Sequence, residues 1–222
     1  MTIGRSTTPL SIAPVAPFSE PDLVSDHKQA VLSAIRWAWS ELQRANPTIL
    51  KSGMEEEITE QLQQLLNQRQ QGKRVAHWLN DFESVTRGES QRTIDGRICK
   101  KPDLVFRPPA YRSVINTTRW GWFVECKIIN GTASVTAYRD DGVSRFVSGE
   151  YSAWMKSAAM LGYVRDGSRP LPSLDKPLKG KVGTKSHTRG ATDELSFSDH
   201  DRSSASGRCV DITLMHVWLP TV

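Results

Sequence analysis

The sequence predicts an α/β fold in which a mixed central β-sheet is flanked by helices. Apolar residues recur at α-helical spacing in two segments near the N-terminus, and further along they alternate at the spacing of β-strands. A chain of 222 residues is also long enough to bury one sizeable core. We therefore expect one layered domain at residues 26–222, preceded by an extended arm at residues 1–25.

The elements before the centre of the chain are predicted in order as follows. The arm is rich in Ser, Thr and Pro and has no sustained periodicity. A first helix is expected over residues 25–46, because apolar positions recur every three or four residues until Pro47 stops the pattern. A second helix is expected over residues 53–72, and its other side is filled with glutamine. Residues 75–85 are expected to form a strand.

Two further strands carry the residues with the clearest chemistry. A short apolar run at residues 104–106 follows Asp103, and a longer one at residues 122–128 contains Glu125 and Lys127. Alternation along the second strand sends Glu125 and Lys127 to the same face. If the two strands pair in antiparallel fashion, the Asp103 carboxylate can reach Glu125. Two carboxylates beside a lysine predict a Mg²⁺ site, since Mg²⁺ binds through one or two carboxylates and keeps waters and phosphates.

These two segments resemble the motifs of the PD-(D/E)XK nuclease superfamily. Pro102-Asp103 matches the first motif, and Glu125-Cys126-Lys127 matches the second, 22 positions further on. The alternative is an ordinary turn at the first segment and a solvated strand face at the second. That alternative does not explain why a lysine lies inside so apolar a strand.

The resemblance covers residues 55–164 and has several implications. It implies a restriction-endonuclease-like αβββαβ core and metal-dependent cleavage of phosphodiester bonds. Asp103, Glu125 and Lys127 would be catalytic, with both acids as metal ligands. The backbone carbonyl of Ile128 would be a further ligand, and Mn²⁺ would substitute for Mg²⁺.

Three consecutive glutamates begin at Glu55, where the second helix starts. Negative side chains at this position interact favourably with the helix dipole, which is explanation enough on structural grounds. Glu55, however, precedes Ile58 by three positions and so falls on the apolar stripe that faces the sheet. Members of the superfamily often carry an active-site glutamate on this helix. We therefore expect Glu55 to be catalytic and a metal ligand, with Glu57 and then Glu60 as alternatives.

The second half of the core is expected to consist of a helix and a strand. Residues 143–161 predict an amphipathic helix and residues 162–164 a short strand, which completes the order αβββαβ. On this helix, Arg145 and Tyr151 are candidates for contacts with phosphate or with the protein scaffold, although an arginine on a helix is more often a solvated charge. An extra strand over residues 210–218 is expected to return to the sheet.

Between these elements lies a segment, residues 165–208, that predicts a long loop insertion. Residues 165–192 contain seven basic residues against two acidic ones, so this loop is a candidate for contact with a phosphate backbone. A solvated, disordered loop is equally compatible with the composition. The expected nucleic-acid-binding residues here, besides Arg145, are Lys176, Lys179, Lys181, Lys185 and Arg189.

The composition permits nucleic-acid binding and argues against a disulfide-rich, zinc-binding or membrane-spanning protein. With 29 Lys and Arg against 24 Asp and Glu, the chain is basic enough to bind nucleic acid. Three cysteines without C-x-x-C spacing argue against a disulfide framework or zinc site, and Cys126 is expected to be a small buried residue. His216 is expected to be a satisfied core or edge histidine. Without an apolar run of bilayer length or a signal pattern, a cytoplasmic protein without membrane contact is expected.

Together these features predict a Mg²⁺-dependent DNA endonuclease in a restriction or defence setting. Two alternatives remain open: a nucleic-acid-binding or docking subunit whose cleavage is absent or activated by a partner, and a structural assembly protein. A homodimer is plausible, because cutting both strands with one small site requires two protomers.

Overall fold

The computed structural model of the protein describes most of the chain. Of the arm expected at residues 1–25, only the last four residues are included, and helix α1 begins at Ser25. The described residues are 22–70, 73–74, 77–88, 101–108, 120–204 and 210–221.

A six-stranded mixed sheet with helices against it forms the centre of the molecule, as the sequence predicts. The strand order is β3-β4-β5-β8-β7-β6, and β1 and β2 form a separate two-stranded ladder. None of the described helices combines the length and apolar character needed to cross a bilayer. The helices are α1 (Ser25–Ala45), α2 (Pro47–Ser52), α3 (Glu55–Asn67), α4 (Thr132–Ala137), α5 (Ser144–Val147) and α6 (Pro170–Leu178). The strands are β1 (Arg69–Gln70), β2 (Lys73–Arg74), β3 (Leu104–Phe106), β4 (Trp122–Ile129), β5 (Ser157–Val164), β6 (Thr184–Arg189), β7 (Leu195–Asp201) and β8 (Asp211–Pro220).

The N-terminal helices pack against the sheet. Helix α1 buries its apolar stripe, and the ring of Trp39 stacks on that of Tyr163 in β5 with centroids 5.2 Å apart. Pro47 ends α1 as predicted, but it also begins α2, because the fixed φ of proline suits the first residue of a helix. Helix α3 ends at Asn67, about one turn earlier than predicted.

Strand β4 lies between two different kinds of neighbour. It pairs in antiparallel fashion with β3, with Leu104 opposite Val124, and in parallel with β5 on its other side. Cys126 is fully buried, as expected of a small core residue, and the other two cysteines lie outside the described residues. On its other side β5 pairs in parallel with β8. Strand β8 pairs in antiparallel fashion with β7, and β7 pairs in antiparallel fashion with β6 at the far edge of the sheet.

Two predicted elements are wrong. The described part of residues 75–85 contains a short 3-10 helix, His77–Leu79. Glu83 N–H donates to the Arg107 carbonyl, but the β-bridge to β3, from Thr86 to Val105, lies just beyond the predicted strand. The helix predicted over residues 143–161 ends at Val147, and Ser157 already begins β5. All eight residues of β5 are buried, and a continuous apolar run of this kind cannot be told from a buried helix by periodicity.

The loop predicted at residues 165–208 is also wrong over its described part. Helix α6 and the β6–β7 hairpin lie within it, and residues 205–208 lie outside the described residues. Strand β7 was not recognised from the pattern of apolar residues, because the side chains that it buries include polar ones: Ser196, Ser198 and His200. Hydrogen bonds satisfy these polar groups in the core. The expected C-terminal strand is present as β8.

Candidate active site

The candidate site lies where β3 ends and β4 continues. Beyond the last paired residue of β4, the backbone N–H groups of Cys126 and Ile128 have no strand partner on this side among the described residues. Cys126 N–H donates to Asp103 Oδ2 at 2.8 Å, and Ile128 N–H donates to Glu55 Oε2 at 3.0 Å. Two carboxylates therefore satisfy the exposed edge of β4, where backbone N–H groups need a partner.

The pairing register brings Asp103 to Glu125. Leu104 lies opposite Val124, so Asp103, one residue earlier, lies opposite Glu125, and directly opposite residues in an antiparallel pair project from the same face. Burial raises the pKa of Asp103 above its usual value, while the Cys126 N–H opposes that rise. Asp103 Oδ1 also lies 3.3 Å from Arg87 Nη2. The sequence-based expectation that the two acids meet across the strands agrees with this register.

Glu125 is the most unusual residue of the site. Only 2% of its side chain is exposed, and its Oε1 accepts from Arg145 Nη1 at 2.6 Å and lies 3.0 Å from Lys127 Nζ. Its Oε2 is buried without a hydrogen-bond partner among the described residues. Burial, together with the charge of Asp103, raises the pKa of Glu125 to about 7. A buried, incompletely satisfied carboxylate destabilises a fold, so such groups are concentrated at functional sites.

Lys127 contacts the carboxylates of both Glu55 and Glu125. Its Nζ lies 2.8 Å from Glu55 Oε1 and 3.0 Å from Glu125 Oε1, and it also donates to the Cys126 carbonyl at 2.8 Å. Burial by itself would lower the pKa of Lys127, but the charges of Glu125 and Glu55 outweigh it and raise the pKa. The ammonium group therefore stays charged in the folded protein, with 17% of the side chain exposed.

The structure distinguishes between the three glutamates considered on α3. Glu55, the first residue of the helix, turns towards β4 and contacts Lys127. Glu57 instead accepts from the backbone N–H of Met54 at 2.7 Å and so closes a capping box at the start of the helix. Glu60 is exposed and accepts from Gln64. Of these three, only Glu55 joins the cluster, through its contact with Lys127.

Arg145 and Tyr151, expected to contact either phosphate or the protein scaffold, lie inside the carboxylate cluster. Besides its ion pair with Glu125, Arg145 Nη1 lies 3.3 Å from Tyr151 Oη. The Tyr151 hydroxyl donates to the Lys101 carbonyl at 3.0 Å, two residues before Asp103. Tyr151 thus ties the loop after α5 to the chain that enters β3.

A π-helical segment, Tyr138–Val143, brings Arg145 to this place. It joins α4 to α5 and adds one residue to the turn, a feature found frequently at functional sites. Gly142 packs so closely that an added Cβ would lie 2.4 Å from Met160 Cε and 3.9 Å from Glu125 Cγ. This segment was not predicted from the sequence; Gly142 in the middle of a helical pattern was the available signal.

Of the predicted basic residues of the insertion, those on β6 lie away from the carboxylates. β6 is four strands from β4 in the sheet order, a separation of roughly 19 Å at the usual strand spacing. Lys185 forms a 2.6 Å ion pair with Asp211, and Arg189 pairs with Asp193. The exposed residues of this basic face, on and between α6 and β6, are Lys176, Lys179, Lys181, Lys185 and Arg189.

The carboxylates fit a divalent metal ion only in part. Within the described residues, no three His, Cys, Asp or Glu side chains are grouped closely enough to hold one. Asp103 and Glu125 offer hard oxygen donors, and among the described residues Glu125 Oε2 has no hydrogen bond that would compete with a metal ion. Mg²⁺ suits such a site, because it takes few carboxylates and fills its other positions with water and phosphate oxygens.

A second polar arrangement was not predicted from the sequence. Ser196 Oγ lies 2.9 Å from His187 Nε2, and His187 Nδ1 lies 2.9 Å from Asp175 Oδ1. This is the contact order of a Ser-His-Asp hydrolytic triad. Ser196, however, is completely buried, so its hydroxyl is closed to an external substrate in this conformation. The arrangement therefore serves to join α6, β6 and β7.

The remaining core histidines form a satisfied network. His200 Nδ1 lies 3.0 Å from the Val182 carbonyl and must donate to it, which leaves His200 Nε2 to accept from Ser198 Oγ at 2.6 Å. Ser198 in turn accepts from His216 Nε2 at 2.6 Å, and His216 Nδ1 accepts from the Tyr138 hydroxyl at 2.9 Å. His216 is a satisfied core histidine, as predicted, and both rings are neutral.

Comparison with protein-family models, with curated proteins and with solved structures gives no significant match for this chain. Function is therefore inferred from the geometry of the residues around β3 and β4.

Proposed function

We propose that the chain is a metal-dependent nuclease that hydrolyses phosphodiester bonds and acts on DNA as an endonuclease. The observation that carries this proposal is the buried Glu125, with one oxygen unpartnered among the described residues, beside Asp103 and Lys127. Capping of the β4 edge accounts for Asp103 and Glu55, but it does not account for a carboxylate that caps no backbone group. An exchangeable cation would offset the repulsion between the two acids.

The order of elements supports membership of the PD-(D/E)XK superfamily. Helix α3 is followed by residues 83–88 alongside β3, then by β3, β4, the helical connection and β5. The first of the three strands of an αβββαβ core would here be the irregular stretch that bridges at Thr86. Strands β6 to β8 would then be an addition to that core, beyond β5.

Each residue of the cluster has a role in the proposed reaction. A divalent cation held by Asp103 and Glu125 would polarise the phosphodiester and lower the pKa of a bound water. Lys127 places a permanent positive charge where the phosphate gains negative charge in the transition state. Glu55 holds the Lys127 ammonium group in position, and Arg145 balances the charge of Glu125.

Contact with nucleic acid and assembly belong to the same proposal. The basic face on α6 and β6 would hold the phosphate backbone at a distance from the cleaved bond, through counterion release. Cleavage of both strands would require a homodimer, since each protomer has one candidate site. Mg²⁺ is the proposed cofactor, and Mn²⁺ would substitute for it. A restriction or defence setting is part of the proposal by analogy with the superfamily.

One observation favours the second candidate, a docking subunit that binds nucleic acid without cutting it. Asp103 and Glu55 each already satisfy a backbone N–H of β4, so the fold has a use for both acids without a metal. In that case the cluster would be a structural element of the β4 edge.

A cleavage assay separates the two candidates. Purified protein would be incubated with supercoiled plasmid, linear duplex, single-stranded DNA and RNA, in Mg²⁺, Mn²⁺ or EDTA. We expect metal-dependent conversion of plasmid to nicked and linear forms, lost in Asp103→Asn and Glu125→Gln and kept in Glu56→Gln, which changes an exposed glutamate. Binding of DNA without cleavage under all conditions would instead support the docking subunit.

A further inference from the structure

Arg165, at the end of β5, binds the chain just ahead of Glu55. Its Nε donates to the Leu50 carbonyl at 2.8 Å, and its Nη2 donates to the Gly53 carbonyl at 2.6 Å. These carbonyls belong to the last turn of α2 and to the residue after it, where no helical N–H follows to bond them. The planar guanidinium thus holds the junction between α2 and α3 by two donors at once.

The backbone of Arg165 completes a closed chain of contacts around Glu55. Its N–H donates to the Ile129 carbonyl at 2.8 Å, and the neighbouring Ile128 N–H donates to Glu55 Oε2. From Glu55 the chain returns to Gly53 in two residues. A single ring therefore joins the end of β5, the exposed edge of β4 and the first residue of α3.

Glu55 needs such support because it lies at the first residue of a helix, where ends fray. The turn itself is tightly built: a Cβ added to Gly53 would lie 2.5 Å from Ile49 Cγ1. The α2–α3 junction can therefore be held closely against the sheet, and the Arg165 side chain joins it to β5. If that link is removed, the junction ahead of Glu55 loses this tie, whereas Thr59, one turn further along α3, keeps its 3.0 Å contact with the Tyr163 hydroxyl of β5. The Glu55 carboxylate then has more freedom to move relative to Lys127.

We propose that Arg165 is a positioning residue that places Glu55 against Lys127 and the β4 edge. The catalytic consequence of this placement rests on the nuclease function proposed above, whereas the placement itself does not. Arg165 touches none of the acids; it acts through the α2–α3 junction.

The test uses Arg165→Lys, which keeps the charge but loses the planar pair of donors. Arg169→Lys is the matched control, because Arg169 is exposed and pairs with Asp193 on the surface. We expect Arg165→Lys to lower kcat about 10- to 100-fold, the usual scale for residues that orient a site, with little change in KM. In a Glu55→Gln background the same substitution should have no further effect. Additive losses in the double variant would overturn the proposal.

A second measurement does not depend on cleavage. Hydrogen exchange would be followed by NMR at two amides of β4: Ile128, which Glu55 holds, and Cys126, which Asp103 holds. Arg165→Lys should accelerate exchange at Ile128 by about 10-fold or more and leave Cys126 unchanged, because only one of the two carboxylates is released. Equal acceleration at both amides, or none at either, would overturn the proposal. If Arg165→Lys accelerates exchange at Ile128 as expected but the wild-type protein cleaves no nucleic acid, the placement of Glu55 by Arg165 stands and only the nuclease function is refuted.

Discussion

Glu125 is a buried carboxylate whose surroundings work against the stability of the fold. It is ionisable, almost completely buried and only half satisfied by Arg145 and Lys127 among the described residues. Residues that are arranged for chemistry commonly reduce stability in this way. Its pKa of about 7, against a usual value of 4.5, measures how strongly the surroundings disfavour its charged form.

This environment predicts that Glu125→Gln stabilises the metal-free protein at pH 8. Because the folded state holds the proton more tightly, the stability linked to Glu125 is fully present below pH 4.5 and is lost as the pH rises to about 7. The amide introduced by the substitution would stay neutral, so we expect a gain on the order of 1–3 kcal/mol in the free energy of unfolding. Urea titrations of the wild type, Glu125→Gln and the exposed control Glu56→Gln, all in EDTA, measure this. A loss of stability in Glu125→Gln alone would show that its ion pairs outweigh its burial.

Lys127 is predicted to act in the transition state. Lys127→Ala should lower the cleavage rate by roughly two or more orders of magnitude and barely change the affinity for DNA. Rate at saturating DNA and binding in Ca²⁺ would be measured separately, with Lys51→Ala on the exposed face of α2 as the control. If affinity falls by the same factor as the rate, Lys127 is a ground-state phosphate contact.

At the scale of the element, unequal strand lengths create the site. β3 has three residues and β4 has eight, so part of the β4 edge is left without a strand partner from β3. In most sheets such an edge needs protection, and here carboxylates from two other elements provide it. The opposite edge of the sheet, β6, carries the basic face instead.

The basic face predicts a change in salt dependence. Replacing Lys176, Lys179, Lys181 and Lys185 together by Gln should weaken DNA binding for every sequence, and it should reduce the slope of log affinity against log salt by about one unit per lost contact. Cleavage at saturating DNA should persist, because none of these four lysines pairs with an acid of the carboxylate cluster. Affinity would be measured against salt concentration, with Lys51→Gln as the control. Parallel slopes for the wild type and the quadruple variant would show that this face does not contact phosphate.

Across the whole molecule, buried histidines connect β7 and β8 to the π-helical segment beside the carboxylate cluster. The network runs from Val182 through His200, Ser198 and His216 to Tyr138, which begins the π-helical segment that leads to Arg145. Each hydrogen-bond donor in this network is matched by an acceptor, and this matching holds as long as both imidazole rings are neutral. Burial lowers the pKa of His200 to about 4 and that of His216 well below its usual value.

Acid should therefore destabilise the whole fold through these rings. Since the folded-state pKa of His200 is depressed, its contribution is present above pH 6.5 and is lost as the pH falls towards 4, on the order of 3 kcal/mol for this ring. The measurement is the free energy of unfolding between pH 4 and 7 in Glu125→Gln, where the opposite trend of Glu125 is removed. A flat profile in that variant would contradict the neutral network.

The sequence by itself determined the fold class, the first helix, the C-terminal strand and the meeting of Asp103 with Glu125. Each of these follows from a local rule: helical or strand periodicity, a proline stop, and the fact that opposite residues in an antiparallel pair share a face. Helical phase also selected Glu55 from its neighbours. At these positions the prediction and the structure agree.

The tertiary structure decided the rest, because buried strands and polar cores carry no distinctive local pattern. β5 is apolar on both faces and was mistaken for a helix. The buried face of β7 consists partly of hydrogen-bonded serine and histidine, so it shows no apolar alternation. The place of Arg145 depends on an extra residue in a helical turn, and that of Arg165 on two carbonyls more than a hundred positions earlier. Contacts between residues so distant along the chain are set by packing in three dimensions, which periodicity in one dimension does not encode.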